Sequence, residues 1–224
     1  MKSEMILALD VHSFKKAKHF VDRLYPKIKT FKVGMQLFTV CGPKIIQMIQ
    51  QKGGEVFLDL KFLDIPNTVA QAVRAATRHK VKMLTLHISG GKGMLEAAVE
   101  AAKDEARKLK LKKPLLIGVT VLTSQKSRPQ AVLKLAKIGI DAGLGGVVCS
   151  AQEAELLRSR IKKKFVIITP GIRPEGVKKN DQKRTATVGE ALKAGSNFLV
   201  IGRPILEAKE PLKVIQSLKQ EARS

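Results

Sequence analysis

The run DLKFLD at 59–64 puts three ionisable side chains within six positions. Asp59 and Lys61 stand two apart, so on a strand both project to one side, and Asp64 follows three residues on. Lys32, in the neighbouring apolar run FKVGM (31–35), is expected at the end of a second strand. Alternating carboxylates and ammonium groups keep each lysine protonated and each aspartate ionised. Such an array can set an ammonium beside a developing carbanion and a carboxylate beside a departing one. The other reading of the same residues is a buried structural ion-pair network. A second polar group suits anions. IGRP (201–204) offers the backbone N–H of Gly202 and the guanidinium of Arg203, a pairing fit for a phosphate. Arg203 could equally be structural, paired with Glu207. The long polar segment TPGIRPEGVKKNDQKRT (169–185) reads as a mobile lid that brings Arg173 and Gln182 to a ligand, or else as an ordinary solvated loop.

These residues need elements to position them. Apolar runs recur every 19 to 33 residues: MILALDV (5–11), FKVGM, EVFLDLK (55–61), MLTLHI (83–88), LLIGVTV (115–121), GVVCS (146–150), FVIITP (165–170) and FLVIGR (198–203). Amphipathic stretches lie between them. Ile45, Ile46, Met48 and Ile49 share one helical face, and Leu95, Ala98, Val99 and Ala102 share another. Eight strand–helix units call for parallel pairing with crossover helices. Near-continuous apolar strands call for a sheet covered on both faces. The expected fold is α/β, a single-domain (β/α)8 TIM barrel over residues 1–224. An open doubly wound sheet would carry a glycine-rich phosphate fingerprint after its first strand, and LDVHS has no glycine there. Chemistry in a barrel sits at the C-terminal strand ends, which here read Asp10, Lys32, Asp59, Lys61, His87, Thr123, Ser124, Ser150, Thr169 and Arg203.

The 224 residues are 44% hydrophobic, enough for a sizeable core, and no run is long enough to span a membrane. The apolar piece Met5–Leu9 is too short for a signal peptide, so a cytoplasmic protein is expected. Cys41 and Cys149 make neither a disulfide framework nor a zinc site and are expected as buried thiols. The net charge is +23, and every block of fifty residues is positive. The densest runs, KLKLKK (108–113) and IKKKF (161–165), read as solvated helix ends. Such charge favours weak attraction to polyanions. With aromatics at 4% and no recognition motif, no specific nucleic-acid partner is expected.

DLKFLDIPNT (59–68) resembles the D-x-K-x-x-D-I-P-x-T signature of the orotidine 5′-phosphate decarboxylase family. LALD (7–10), KVG (32–34), HISGG (87–91), VTVLTS (119–124), GVVCSAQE (146–153), TPGIRPEG (169–176), DQKR (181–184) and VIGRPI (200–205) resemble it in the same order, over essentially the whole chain. The resemblance implies a (β/α)8 homodimer that uses no cofactor and no metal. It implies conversion of orotidine 5′-phosphate to UMP and carbon dioxide, the last step of de novo UMP synthesis. It also implies roles. Lys61 protonates C6, and Asp59, Lys32 and Asp64 complete its charged network. Asp64, Ile65 and Thr68 cross the dimer interface to serve the partner's site. Asp10 and Lys32 hold ribose hydroxyls, Thr123 lies near the pyrimidine, and Gln182 bridges base and phosphate. Arg173, Gly202 and Arg203 gather the phosphate. The stretch after LTS (122–124) is shorter and more basic than the family often has. Two alternatives are a Mg2+-dependent sugar-phosphate decarboxylase of the 3-keto-gulonate 6-phosphate type and a basic nucleic-acid-binding barrel.

Overall fold

The computed structural model describes residues 3–122, 125, 128–174 and 185–222. Each apolar run becomes a parallel strand: β1 (Glu4–Ala8), β2 (Thr30–Gly34), β3 (Glu55–Phe62), β4 (Met83–His87), β5 (Leu115–Val119), β6 (Gly146–Val148), β7 (Val166–Thr169) and β8 (Phe198–Ile201). They pair in chain order and β8 closes on β1, giving the expected barrel. The outer layer is α1 (Phe14–Leu24), α2 (Met35–Cys41), α3 (Lys44–Gln51), α4 (Pro66–Arg78), α5 (Gly91–Lys108), α6 (Pro129–Asp141), α7 (Ala151–Arg160), α8 (Val188–Lys193), α9 (Arg203–Leu206) and α10 (Pro211–Glu221). Local signals start several of them. Ser13 Oγ accepts from Lys16 N at 3.3 Å at the start of α1, and Pro66 and Pro129 open α4 and α6. No helix among the described residues is long and apolar enough to cross a membrane.

Strand alternation sorts the side chains into two cores. One residue of each pair, such as Phe31, Val33, Val56 and Leu58, faces the helices, where it meets Ile45, Ile46, Ile49 and Leu95. The others face inward, and Ile6, Ala8, Phe57, Met83, Ile117, Ile168 and Val200 fill the barrel as a packed plug. Full burial of each aliphatic or aromatic side chain contributes roughly 1.5–3 kcal/mol. Polar residues gather at the two ends of this plug, with Lys32 an inward polar residue at its level, beside Ala8 and Phe57. At the N-terminal end, Lys82 Nζ bonds both oxygens of Glu4 at 2.8 Å, Glu55 at 2.6 Å and Thr30 at 3.0 Å. The inward series 6-8-10, 30-32-34, 55-57-59 and 83-85-87 carries the chain from that end, through the plug, to the opposite mouth.

Candidate active site

The C-terminal mouth of the barrel holds a cavity of about 240 Å³. Its floor is the top of the plug, with Ala8, Phe57, Ile168 and Val200 among the lining residues. Its walls carry Asp10, Lys32, Asp59 and Lys61 together with Arg173, Gly202 and Arg203. An apolar floor beneath two polar groups suits an aromatic ring bearing separated charges.

The four charged residues form a linear array. Lys32 Nζ lies 3.1 Å from Asp10 Oδ1 and 3.4 Å from Asp59 Oδ2, while Lys61 Nζ lies 2.9 Å from Asp59 Oδ1. The array within the chain is Asp10–Lys32–Asp59–Lys61. Asp64 leaves the strand after Phe62, is exposed, and turns its Oδ1 to the N–H of Ile65 at 2.7 Å at the entrance to α4. Lys32 also differs from its expected place. It lies at the centre of β2, level with Ala8 and Phe57, and its long side chain climbs to the mouth.

Burial works against both central charges, and their neighbours overcome it. Burial raises the Asp59 carboxyl, but Lys32, Lys61 and the hydrogen bond from Thr85 bring it below the ordinary carboxylate range. Burial lowers the Lys32 ammonium, but Asp59 and Asp10 carry it above the ordinary lysine value. His87, at the end of β4, is lowered chiefly by burial and next by Lys61, which keeps it neutral at pH 7.

Two positioning features escaped the sequence reading. Thr85 is fully buried on β4; its Oγ1 donates to Asp59 Oδ1 at 3.0 Å and accepts from the Lys61 N–H at 2.9 Å. Lys61 has φ +52°, and the β3–β4 register shifts between Leu58 and Phe62. Strand alternation therefore does not by itself aim Lys61. A bulge does, with Thr85 taking the N–H the ladder gives up. A left-handed non-glycine residue costs roughly 1–2 kcal/mol, strain typical of functional positions. Gly34 is the second feature: a Cβ there would lie 3.2 Å from Lys32 Nζ and 3.6 Å from Asp10 Oδ1. The only signals were a threonine inside an apolar strand and a glycine two residues beyond a lysine.

The remaining expected residues divide clearly. Arg173 is 7% exposed at the cavity wall. Its N–H donates to the Ala186 carbonyl at 2.9 Å, and Ala186 N–H donates to Gly171 at 3.3 Å, joining the two stems of the expected lid. Gln182 and the segment 175–184 lie outside the described residues, as do Thr123 and Ser124. Gly202 follows β8, and Arg203 opens α9 rather than ending the strand. Ser150 and Thr169 have structural roles: Ser150 Oγ bonds Glu153 at the start of α7 at 2.7 Å, and Thr169 bonds Ser196 at 2.6 Å. Ile65 and Thr68 are exposed at the rim and do not line the cavity. Cys149 is buried as expected, whereas Cys41 is only partly so.

A closed parallel barrel with charged groups at its C-terminal mouth defines the class of small-molecule (β/α)8 enzymes. The chain belongs to the orotidine 5′-phosphate decarboxylase / HUMPS family, whose model matches residues 3–218. It is 46% identical over 236 residues to the orotidine 5′-phosphate decarboxylase of Syntrophomonas wolfei, covering 98% of this chain and 99% of that one. It is 43% identical to the orotidine 5′-phosphate decarboxylase of Coxiella burnetii, over 99% and 97% of the two chains. The crystal structure of orotidine 5′-phosphate decarboxylase from Lactobacillus acidophilus superposes with a TM-score of 0.86 at 33% identity, over 99% of this chain and 100% of that one.

Proposed function

We propose that this protein decarboxylates orotidine 5′-phosphate to UMP and carbon dioxide in pyrimidine biosynthesis, with Lys61 as proton donor. The observation that carries the assignment of roles is the Asp10–Lys32–Asp59–Lys61 array above an apolar floor. The bond from C6 to the carboxylate breaks, the electron pair stays on C6, and carbon dioxide leaves. The Lys61 ammonium stabilises that pair as it forms and passes a proton to C6; the resulting amine regains a proton from solvent. Asp59, held ionised by two ammonium groups and Thr85, fixes Lys61 and disfavours the substrate carboxylate beside it. Asp10 and Lys32 are suited to ribose hydroxyls. Arg173, Arg203 and the Gly202 N–H are suited to the phosphate, whose binding energy is used at the transition state. Thr123 and Gln182 complete this reading at the base and between base and phosphate.

The site is read as one of two in a homodimer. Asp64, Ile65 and Thr68 are exposed and do not line the cavity of their own chain. Ile65 is 66% and Leu63 53% exposed in this segment, apolar surface suited to a second copy. The magnesium alternative fits less well. Mg2+ takes carboxylate oxygens, and the cavity's two carboxylates already hold Lys32 and Lys61. Turnover in deuterium oxide tests the reading. The product is UMP carrying deuterium at C6, seen by proton NMR. Recovery of unchanged substrate would overturn the reading.

A further inference from the structure

Along the sequence the positive charge looks evenly spread, but the barrel topology gathers part of it. Every helix-to-strand connection lies at the N-terminal face, opposite the cavity mouth. Those after α1, α3, α4, α5 and α7 read YPKIK (25–29), KGG (52–54), HKVK (79–82), LKLKKP (109–114) and IKKKF (161–165). They contain eleven lysines and no aspartate or glutamate. The two others, AGLG (142–145) and AGSN (194–197), are uncharged. Strand-to-helix connections are mixed in sign, with Asp10, Asp64, Glu175 and Asp181 against seven lysines and arginines.

Four acids bordering this face are already engaged. Glu4 and Glu55 hold Lys82, Asp22 lies 3.5 Å from Lys52, and Asp141 lies 2.5 Å from Lys163. This leaves Lys27 and Lys29, Lys80, the three lysines of LKLKKP, Lys162 and Lys164. All are exposed and have no acidic partner among the described residues. Helix dipoles favour cations in the last helical turn, but Lys112, Lys113 and Lys162–Lys164 lie beyond the last turns. The face is also grooved. One cleft of about 230 Å³ is lined by Lys80, Lys82, Lys112 and Lys113, and another of about 650 Å³ by Lys27, Lys29 and Lys219.

We infer that this N-terminal face binds the phosphodiester backbone of double-stranded nucleic acid without sequence preference, leaving the catalytic mouth open. Lysine point charges set around clefts suit successive phosphates. The face has no stacking platform for unpaired bases: Phe165 is buried and Tyr25 partly so. Protein interfaces are depleted in lysine and anchored by aromatics and arginine, which argues against an acidic protein. Leu109 is the one exposed large apolar side chain of these connections, at 42%, too little to enter a bilayer.

The test is fluorescence anisotropy of the intact protein with labelled duplexes of about 20 base pairs and two unrelated sequences, from about 50 to about 200 mM salt. Both duplexes bind equally, with log K falling against log salt at a slope of about −3 to −6. A variant carrying Lys110→Asn (φ is +53° there), Lys112→Ser, Lys113→Ser, Lys162→Ser and Lys164→Ser keeps its melting temperature and turnover. It binds at least tenfold more weakly, with a slope flatter by roughly 3. A control variant loses the exposed lysines Lys15, Lys16, Lys103, Lys134 and Lys137 from helix sides and stays within about threefold of wild type. Equal losses in both variants would overturn the inference in favour of overall charge. No duplex binding, or tighter binding to phosphatidylglycerol vesicles or to polyglutamate, would overturn it as well.

Discussion

Thr85 is the residue on which the geometry of the site turns, because one hydroxyl orients Asp59 and accepts the N–H displaced by the Lys61 bulge. Thr85→Val keeps the shape and removes both bonds. The part-buried Lys61 N–H then lacks its partner, a loss of roughly 1–3 kcal/mol at most. We expect kcat/KM to fall by about 10- to 100-fold, with Thr85→Ser restoring most of it. A valine variant with unchanged kinetics would remove Thr85 from the positioning role. Gly34→Ala places a methyl group 3.2 Å from the Lys32 ammonium. Steady-state kinetics should show a loss of about tenfold with little change in thermal stability. Neither residue was legible in the sequence. A threonine in MLTLHI is an ordinary strand residue, and its meaning depends on the β3–β4 register. The Asp10–Lys32 pair was hidden for a similar reason, since it follows from the level of Lys32 in β2 and the inward turn of Asp10 beyond β1.

At the scale of elements, the strands were legible because a parallel barrel buries both faces and so writes each strand as a nearly unbroken apolar run. Strand ends were less so. Asp10 and Arg203 lie beyond β1 and β8, because the last inward positions belong to the mouth rather than to the ladder. The departure of Asp64 was invisible for the same reason: spacing in DLKFLD cannot show where β3 stops and the turn into α4 begins. The charged array across β1, β2 and β3 has a pH signature. Asp59 is depressed in the folded protein, so its contribution to stability is present above the unfolded carboxyl value. It is lost as pH falls through the lower folded one. Lys32 is raised, so its contribution is present below the unfolded lysine value and lost as pH rises through the higher folded one. Between about pH 5 and pH 9 both are charged. The difference in melting temperature between wild type and Asp59→Asn should be flat there and should narrow below about pH 4. A gap that changed steadily between pH 5 and pH 8 would show that Asp59 is not held ionised by its two lysines.

The whole molecule is read as half of a two-site assembly, and the exposed Asp64–Thr68 segment is where that reading is most vulnerable. Mixing inactive Lys61→Ala with inactive Asp64→Ala and exchanging subunits should recover roughly a quarter of wild-type activity, because half the dimers are mixed and each holds one intact site. No recovery after demonstrated exchange would confine Asp64 to its own chain. The net charge was plain in the composition, but its gathering on the N-terminal face was not, because only the barrel brings connections tens of residues apart onto one surface. We propose that Lys61 does the chemistry without a metal. Absorbance-monitored decarboxylation of orotidine 5′-phosphate in EDTA tests it most directly, comparing wild type with folded Lys61→Ala. We expect full wild-type turnover in the chelator and a loss well beyond 10²-fold in the variant. Turnover abolished by EDTA and restored by Mg2+, or a variant within about tenfold of wild type, would contradict it.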